Sequence, residues 1–90
     1  MTQWNCRVLE EWETDRLLAE AELCRMAVSA DNQPYLLPLA VRTQKTADGD
    51  YVFRIQSPLY GMKMEYLQVN RRVALEFERL CPNGVESVVA

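Results

Sequence analysis

Apolar residues recur at two different periods along this chain, and the change of period divides it into elements. In "ETDRLLAEAEL", Leu17, Leu18 and Ala21 share a face at helical spacing while glutamates and an arginine cover the rest. Thr14 or Asp15 can cap this helix, because a short side-chain oxygen accepts a bond from an unpaired N–H. The period then drops to two. In "LCRMAVSA", Cys24, Met26 and Val28 alternate with Arg25, Ala27 and Ser29, the signature of a strand with one apolar face. "DNQP" predicts a turn, since Asp and Asn tolerate left-handed backbone. "YLLPLAVR" is apolar at both parities, which predicts a strand covered on both sides. Pro38 within it implies a bulge or a place where the ladder is not needed. Asp48-Gly49 in "TQKTADGD" predicts a tight hairpin, with "YVFRIQ" pairing back on the preceding strand.

A short helix follows "SPLYG". Met64 and Leu67 fall on one face with Tyr60 a turn before, Met62, Tyr66 and Val69 lie alongside, and Asn70 suits the helix end. "RVALEFERL" alternates again, with Val73, Leu75 and Phe77 set against Ala74, Glu76 and Glu78. "CPNG" turns the chain into "VESVVA". The order is helix, three strands, helix, two strands, with short hairpins and no repeats or linkers. This predicts a mainly β fold with two short helices, its antiparallel sheet curling into a barrel. The apolar stretch at the end of the chain is expected to form an edge that a second copy covers, making a homodimer.

Composition narrows the chemistry. Ninety residues make one small domain, here 1–90, which buries a modest share of its surface. A net charge of −3 argues against a phosphate-backbone binder, so no nucleic-acid partner is expected. The chain contains no run of roughly 20 apolar residues and no apolar core at the N-terminus like a signal peptide's, so a cytoplasmic protein without a membrane partner is expected. There is no histidine, which excludes histidine acid–base catalysis. Three widely spaced cysteines, Cys6, Cys24 and Cys81, form no CxxC pair, so no metal site is expected, and Cys24 reads as a buried thiol. No catalytic acid–base pair emerges.

The junction "SPLYGMKMEYL" holds the candidate chemistry. Unpaired N–H groups at a helix start favour an anion, Ser57 can donate a hydroxyl bond, Gly61 permits close backbone approach, and Lys63 supplies a point charge. The P-loop spacing is absent. Each residue also has a plainer reading: Ser57 as a turn hydroxyl or cap, Lys63 as a solvated helix residue, and Arg25 paired with Glu76 or Glu78 across the sheet. The Tyr60–Leu67 stripe reads as helix packing or a dimer seam. Trp4 and Trp12 read as covers of the core edges.

The ordered set "CRMAVSADNQPYLLPLAVR", a DG hairpin and "SPLYGMKMEYLQVNRRVALEFE" resembles the flavin-binding split-barrel proteins related to pyridoxamine 5′-phosphate oxidase, with nitroimidazole-resistance proteins as the similar branch. That branch reads C-R-L-A, G-x-P-Y-V-V-P-L, a strand ending in serine, E-G-R-K or E-G-K-K, and N-P-R-V-x-F-E. The resemblance covers roughly 14–90. It implies flavin mononucleotide (FMN) at a dimer interface, with any redox chemistry supplied by the flavin as an FMN-dependent oxidoreductase. It carries Ser57 onto the family's serine and Lys63 onto its second basic residue. Arg25 falls near a basic position on an early strand, and Pro38, Leu39 and Ala40 match the segment whose backbone runs beside the flavin ring. The chain departs from the pattern at Gln56, where histidine is frequent, at Met62, where the first basic residue stands, and at Ala40. The family's C-terminal strands are expected to be missing. The alternative expectation is a flavin-free dimeric module on a shortened split barrel, binding a small molecule or a protein.

Overall fold

The computed structural model describes residues 7–56, 62–82 and 84–90. Their order is α1 (Glu11–Glu20), β1 (Leu23–Ala30), β2 (Gln33–Lys45), β3 (Tyr51–Gln56), α2 (Met62–Val69), β4 (Ala74–Cys81) and β5 (Gly84–Val89). Every pairing is antiparallel, in the order β3-β2-β1-β4-β5. The mainly β architecture with two short helices is as the alternation predicts. The sheet stays open: β3 and β5 are its edges and are not paired with each other. Both helices pack on one face, where Leu17 and Leu18 of α1 and Tyr66 and Leu67 of α2 join the core cluster.

That inner face is the core. Cys24, Met26 and Val28 of β1 and Leu75 and Phe77 of β4 are buried there, the parity read from the sequence. Phe77 stacks on Phe53 with ring centroids 5.3 Å apart, and Tyr35 meets Tyr66 at 5.6 Å. The α2 residues Tyr66 and Leu67 thus serve helix packing. Burial pushes the Cys24 thiol up from its ordinary value, consistent with an inert packing role.

Several local expectations are corrected. Helix α1 begins at Glu11, ahead of Thr14 and Asp15, because Glu13 reaches back to accept the Glu10 N–H at 3.1 Å. Arg7 grips both Glu13 oxygens at 2.7 Å and holds that carboxyl down to about 2, its hydrogen bond being the largest cause. Asp15 instead fastens α1 to the sheet, accepting from Lys45 Nζ at 2.9 Å and from the Tyr51 hydroxyl. These two bonds hold the Asp15 carboxyl below its usual range. Trp12 is exposed, with the Arg16 guanidinium 5.1 Å from its ring centre. Strand β2 is covered on one side only: its residues alternate between core and open surface, with Leu36 61% exposed. Pro38 makes no bulge, since the β1–β2 register runs unbroken from Leu23↔Ala40 to Ala30↔Gln33. The β2–β3 ladder ends at Ala40, so at Pro38 no donor is required on that side.

The left-handed pair of a two-residue hairpin turn is Asp31-Asn32, at φ 51° and 64°, between β1 and β2. The Asp48-Gly49 hairpin has a longer loop. Gly49 N–H donates to the Thr46 carbonyl at 3.0 Å, and Thr46 N–H to Asp50 at 2.7 Å. Within this loop only Gly49 has positive φ, 89°, and a Cβ there would meet nothing within 4 Å. Gly49→Val therefore costs backbone energy alone, about 1–2 kcal/mol for an L-residue held left-handed. For a domain of this size the melting temperature is expected to fall by roughly 5–10 °C in calorimetry. An unchanged melting temperature would mean the loop relaxes without that conformation.

Candidate functional site

The face of the sheet opposite the helices is open, and period two decides what stands on it. Along β1 these residues are Leu23, Arg25 and Ala27; along β2 they are Leu36, Pro38, Ala40, Arg42 and Gln44; on β4 they include Ala74, Glu76 and Glu78. Cross-strand register then assembles them. Arg25 lies opposite Pro38 on one side and Glu76 on the other. Ala40 lies between Leu23 and Gln56, the residue that precedes Ser57. So Arg25 of β1 comes to share one patch with Pro38 and Ala40 of β2, beside the point where the chain leaves β3 for α2.

The electrostatics of this patch centre on Arg25. Its Nη1 donates to Glu76 Oε1 at 3.2 Å and also to Glu78 Oε1. Glu76 Oε2 accepts the Ser87 hydroxyl at 3.1 Å. The two carboxylates, Glu78 foremost, raise the guanidinium above its ordinary value. This is the cross-sheet pairing that the sequence left open for Arg25, and it leaves the cluster with one net negative charge. Around it the surface is apolar: Leu23 and Leu36 on one side, Val89, Val85 and Leu80 on the other, with Leu80 84% exposed. An exposed apolar area of this kind marks an interaction or ligand surface.

Leu39 takes a different place. It is buried with Cys24 as its register partner, so only its backbone can take part on the open face. Lys63 is the second residue of α2. Ser57 and Gly61 lie outside the described residues. The plainer sequence reading of Asn70 as a helix end holds: its N–H donates to Tyr66 and its Oδ1 accepts from Arg72 N–H at 3.0 Å. Among the described residues no three metal-ligating side chains converge, and no helix is long and apolar enough to cross a membrane.

Two residues on this face escape a reading by motif. Arg42 and Arg54 are direct register partners on β2 and β3, and both are exposed. The signal that finds them is arithmetic on the hairpin: Lys45 pairs with Tyr51 across the loop, and counting outward brings 42 to 54.

Comparison with known proteins agrees with this architecture. No curated protein matches the chain significantly. Among solved structures, a FAD-binding protein from Mesorhizobium loti superposes with a TM-score of 0.68 at 24% identity. The match covers 92% of this chain and 56% of that one, so the present chain spans little more than half of that protein's length. At this identity the likeness speaks for the fold alone. The sequence profile of the family described as pyridoxamine 5′-phosphate oxidase matches residues 10–90, nearly the whole chain. On that match, the chain belongs to the pyridoxamine 5′-phosphate oxidase family.

Proposed function

We propose that this protein binds a flavin, FMN in particular, on the open face of its sheet, and that it works as a homodimeric flavin-dependent oxidoreductase. The observation that carries the reading is the meeting of Pro38 and Ala40 with the exit of β3 toward Ser57, Gly61 and Lys63. A planar apolar ring needs a flat surface with backbone polar groups at its edge. The small side chain of Ala40, exposed beside Leu23, gives room for one. A phosphate needs N–H donors and a cation, for which the start of α2 and Lys63 are the candidates. A bound flavin supplies the redox chemistry; the chain's part is to hold and orient it and to exclude water. The FAD bound by the Mesorhizobium loti protein and the family membership both favour a flavin ligand. Arg25 takes a secondary role in this reading, positioned under the ligand and already neutralised by Glu76 and Glu78.

That neutralisation favours a second reading: a dimeric module that has no flavin and uses the apolar face to hold another small molecule or a protein.

Titration of FMN and of riboflavin, followed by quenching of flavin fluorescence, separates the two. With a phosphate site, FMN is expected to bind roughly tenfold or more tightly than riboflavin, the value of one charge-assisted contact. Lys63→Ala should remove much of that difference, and added salt should shrink it by screening. If neither flavin binds, the flavin-free module takes its place.

A further inference from the structure

We propose that Arg42 and Arg54 form an anion-binding site at the β2–β3 end of the sheet, taking the phosphate or carboxylate group of a small ligand. The two stand directly opposite one another in the ladder. Directly opposed residues have Cβ atoms about 5 Å apart, and like charges at that spacing destabilise a sheet. Elsewhere this chain avoids the problem. Arg7, Arg16, Arg25, Lys45 and Arg79 are each ion-paired with a glutamate or aspartate. Arg42 and Arg54 have no carboxylate within ion-pair distance among the described residues. The remaining residues, 1–6, 57–61 and 83, contain no aspartate or glutamate, so they offer none either. Arg71 and Arg72 also lack an ion pair among the described residues, but they follow one another in the coil between α2 and β4 and are not opposed in a ladder.

The pair also has a place for a ligand. Both arginines line an open cleft of about 1070 Å³ between β2, β3 and the end of α1. Gln44, two residues from Arg42 on the same side of β2, lines the cleft as well and adds an amide donor. Two carboxylates stand in the lining. Glu20 is already held by Arg79 at 2.7 Å, which leaves Glu22 as the single opposing charge. Guanidinium groups are planar forks that bind phosphate and carboxylate through paired N–H donors. One anion between them would also relieve the repulsion that the ladder imposes. The pair belongs to β2 and β3, borders Ala40 in the cleft lining, and can hold an anion without a flavin.

The experiment is thermal melting and calorimetric titration with inorganic phosphate, pyrophosphate and citrate, each against chloride at matched ionic strength. Phosphate or pyrophosphate is expected to raise the melting temperature beyond chloride; a response to citrate alone assigns the site to carboxylates. Arg54→Gln should weaken the responding anion roughly tenfold or more, the loss of a charge-assisted pair of bonds. Arg54→Glu should abolish the response yet raise the melting temperature in low-salt chloride, because an Arg–Glu pair replaces the repulsion. Lys63→Ala should leave the response intact. Absence of any anion-specific rise overturns the proposal, as does a response that Lys63→Ala removes and Arg54→Gln does not. A change of sedimentation in the arginine variants without a change in anion binding also overturns it, since the pair then serves a second copy of the chain.

Discussion

Phe77→Ala is expected to bring the protein close to unfolding at ambient temperature. Phe77 is 0% exposed, at the centre of the inner face, with Phe53 stacked on it and Leu17 and Leu18 of α1 in the same cluster. Truncating a buried Phe costs about 3–5 kcal/mol, the transfer energy of the ring together with the cavity it leaves. A chain of this length is stable by roughly 5–13 kcal/mol at 0.05–0.15 kcal/mol per residue. The loss is therefore from about a quarter to nearly all of the total. It also acts on both layers at once, because the ring lies between the sheet and α1. Phe77→Leu keeps most of the volume and should lose far less. Urea unfolding followed by circular dichroism checks both variants. A midpoint for Phe77→Ala within experimental error of the wild type would mean that the core lies elsewhere.

The reason Phe77 could be found in advance is that alternation needs no knowledge of the partner strand. Leu75 and Phe77 share a parity, Glu76 and Glu78 take the other, and the structure buries the first pair. The same rule identified Cys24, Met26 and Val28. It failed on β2, whose residues are apolar at both parities. Apolar content states that a face avoids water and leaves open which molecule covers it, so Leu36 reads as buried and stands exposed. The start of α1 was hidden for another reason. Glu13 makes a capping-box contact with Glu10, and Arg7 grips the same carboxylate at a spacing of six; with glutamate at the cap in place of Ser, Thr, Asp or Asn, the usual signature of a helix start is missing. At the β2–β3 hairpin a DG pair predicts a two-residue turn, whereas Thr46 closes a larger loop.

For the candidate site, the residue types were legible and the neighbours were not. Arg25 was visible as a cation on a strand facing acids on another. That it is shared between Glu76 and Glu78 follows from the β1–β4 register, which depends on how α2 carries the chain across from β3. The link between Pro38–Ala40 and the exit toward Ser57 likewise follows from the β2–β3 ladder. The opposition of Arg42 and Arg54 needed the length of the hairpin loop. Each of these is a long-range consequence of register, and a shift by one residue would have reversed all of them together.

Leu36→Glu is expected to separate the proposed homodimer into folded monomers. Leu36 stands on the open face, across from Ala27, which in turn pairs with Ala74. These small neighbours make a flat strip in which Leu36 is the one large side chain, the form of an anchor that a second copy could cover. Since Leu36 is exposed and its parity is opposite to that of the core, the substitution should leave the monomer's own stability within about 0.5 kcal/mol. In the dimer it removes an anchor of about 2 kcal/mol or more and places an unpaired carboxylate beside a cluster that is already net negative. Together these weaken association on the order of a hundredfold, at 1.4 kcal/mol per tenfold. Sedimentation equilibrium across a concentration series reads the change, and the melting curve of the diluted variant confirms that it remains folded. The outer edge of β5 offers a different route, backbone pairing between copies, which Leu36→Glu would not touch. A wild-type dimer that survives the substitution undiminished therefore moves the interface from the face to the β5 edge. A wild type that sediments as a monomer at every concentration removes the dimer, and with it the shared flavin site.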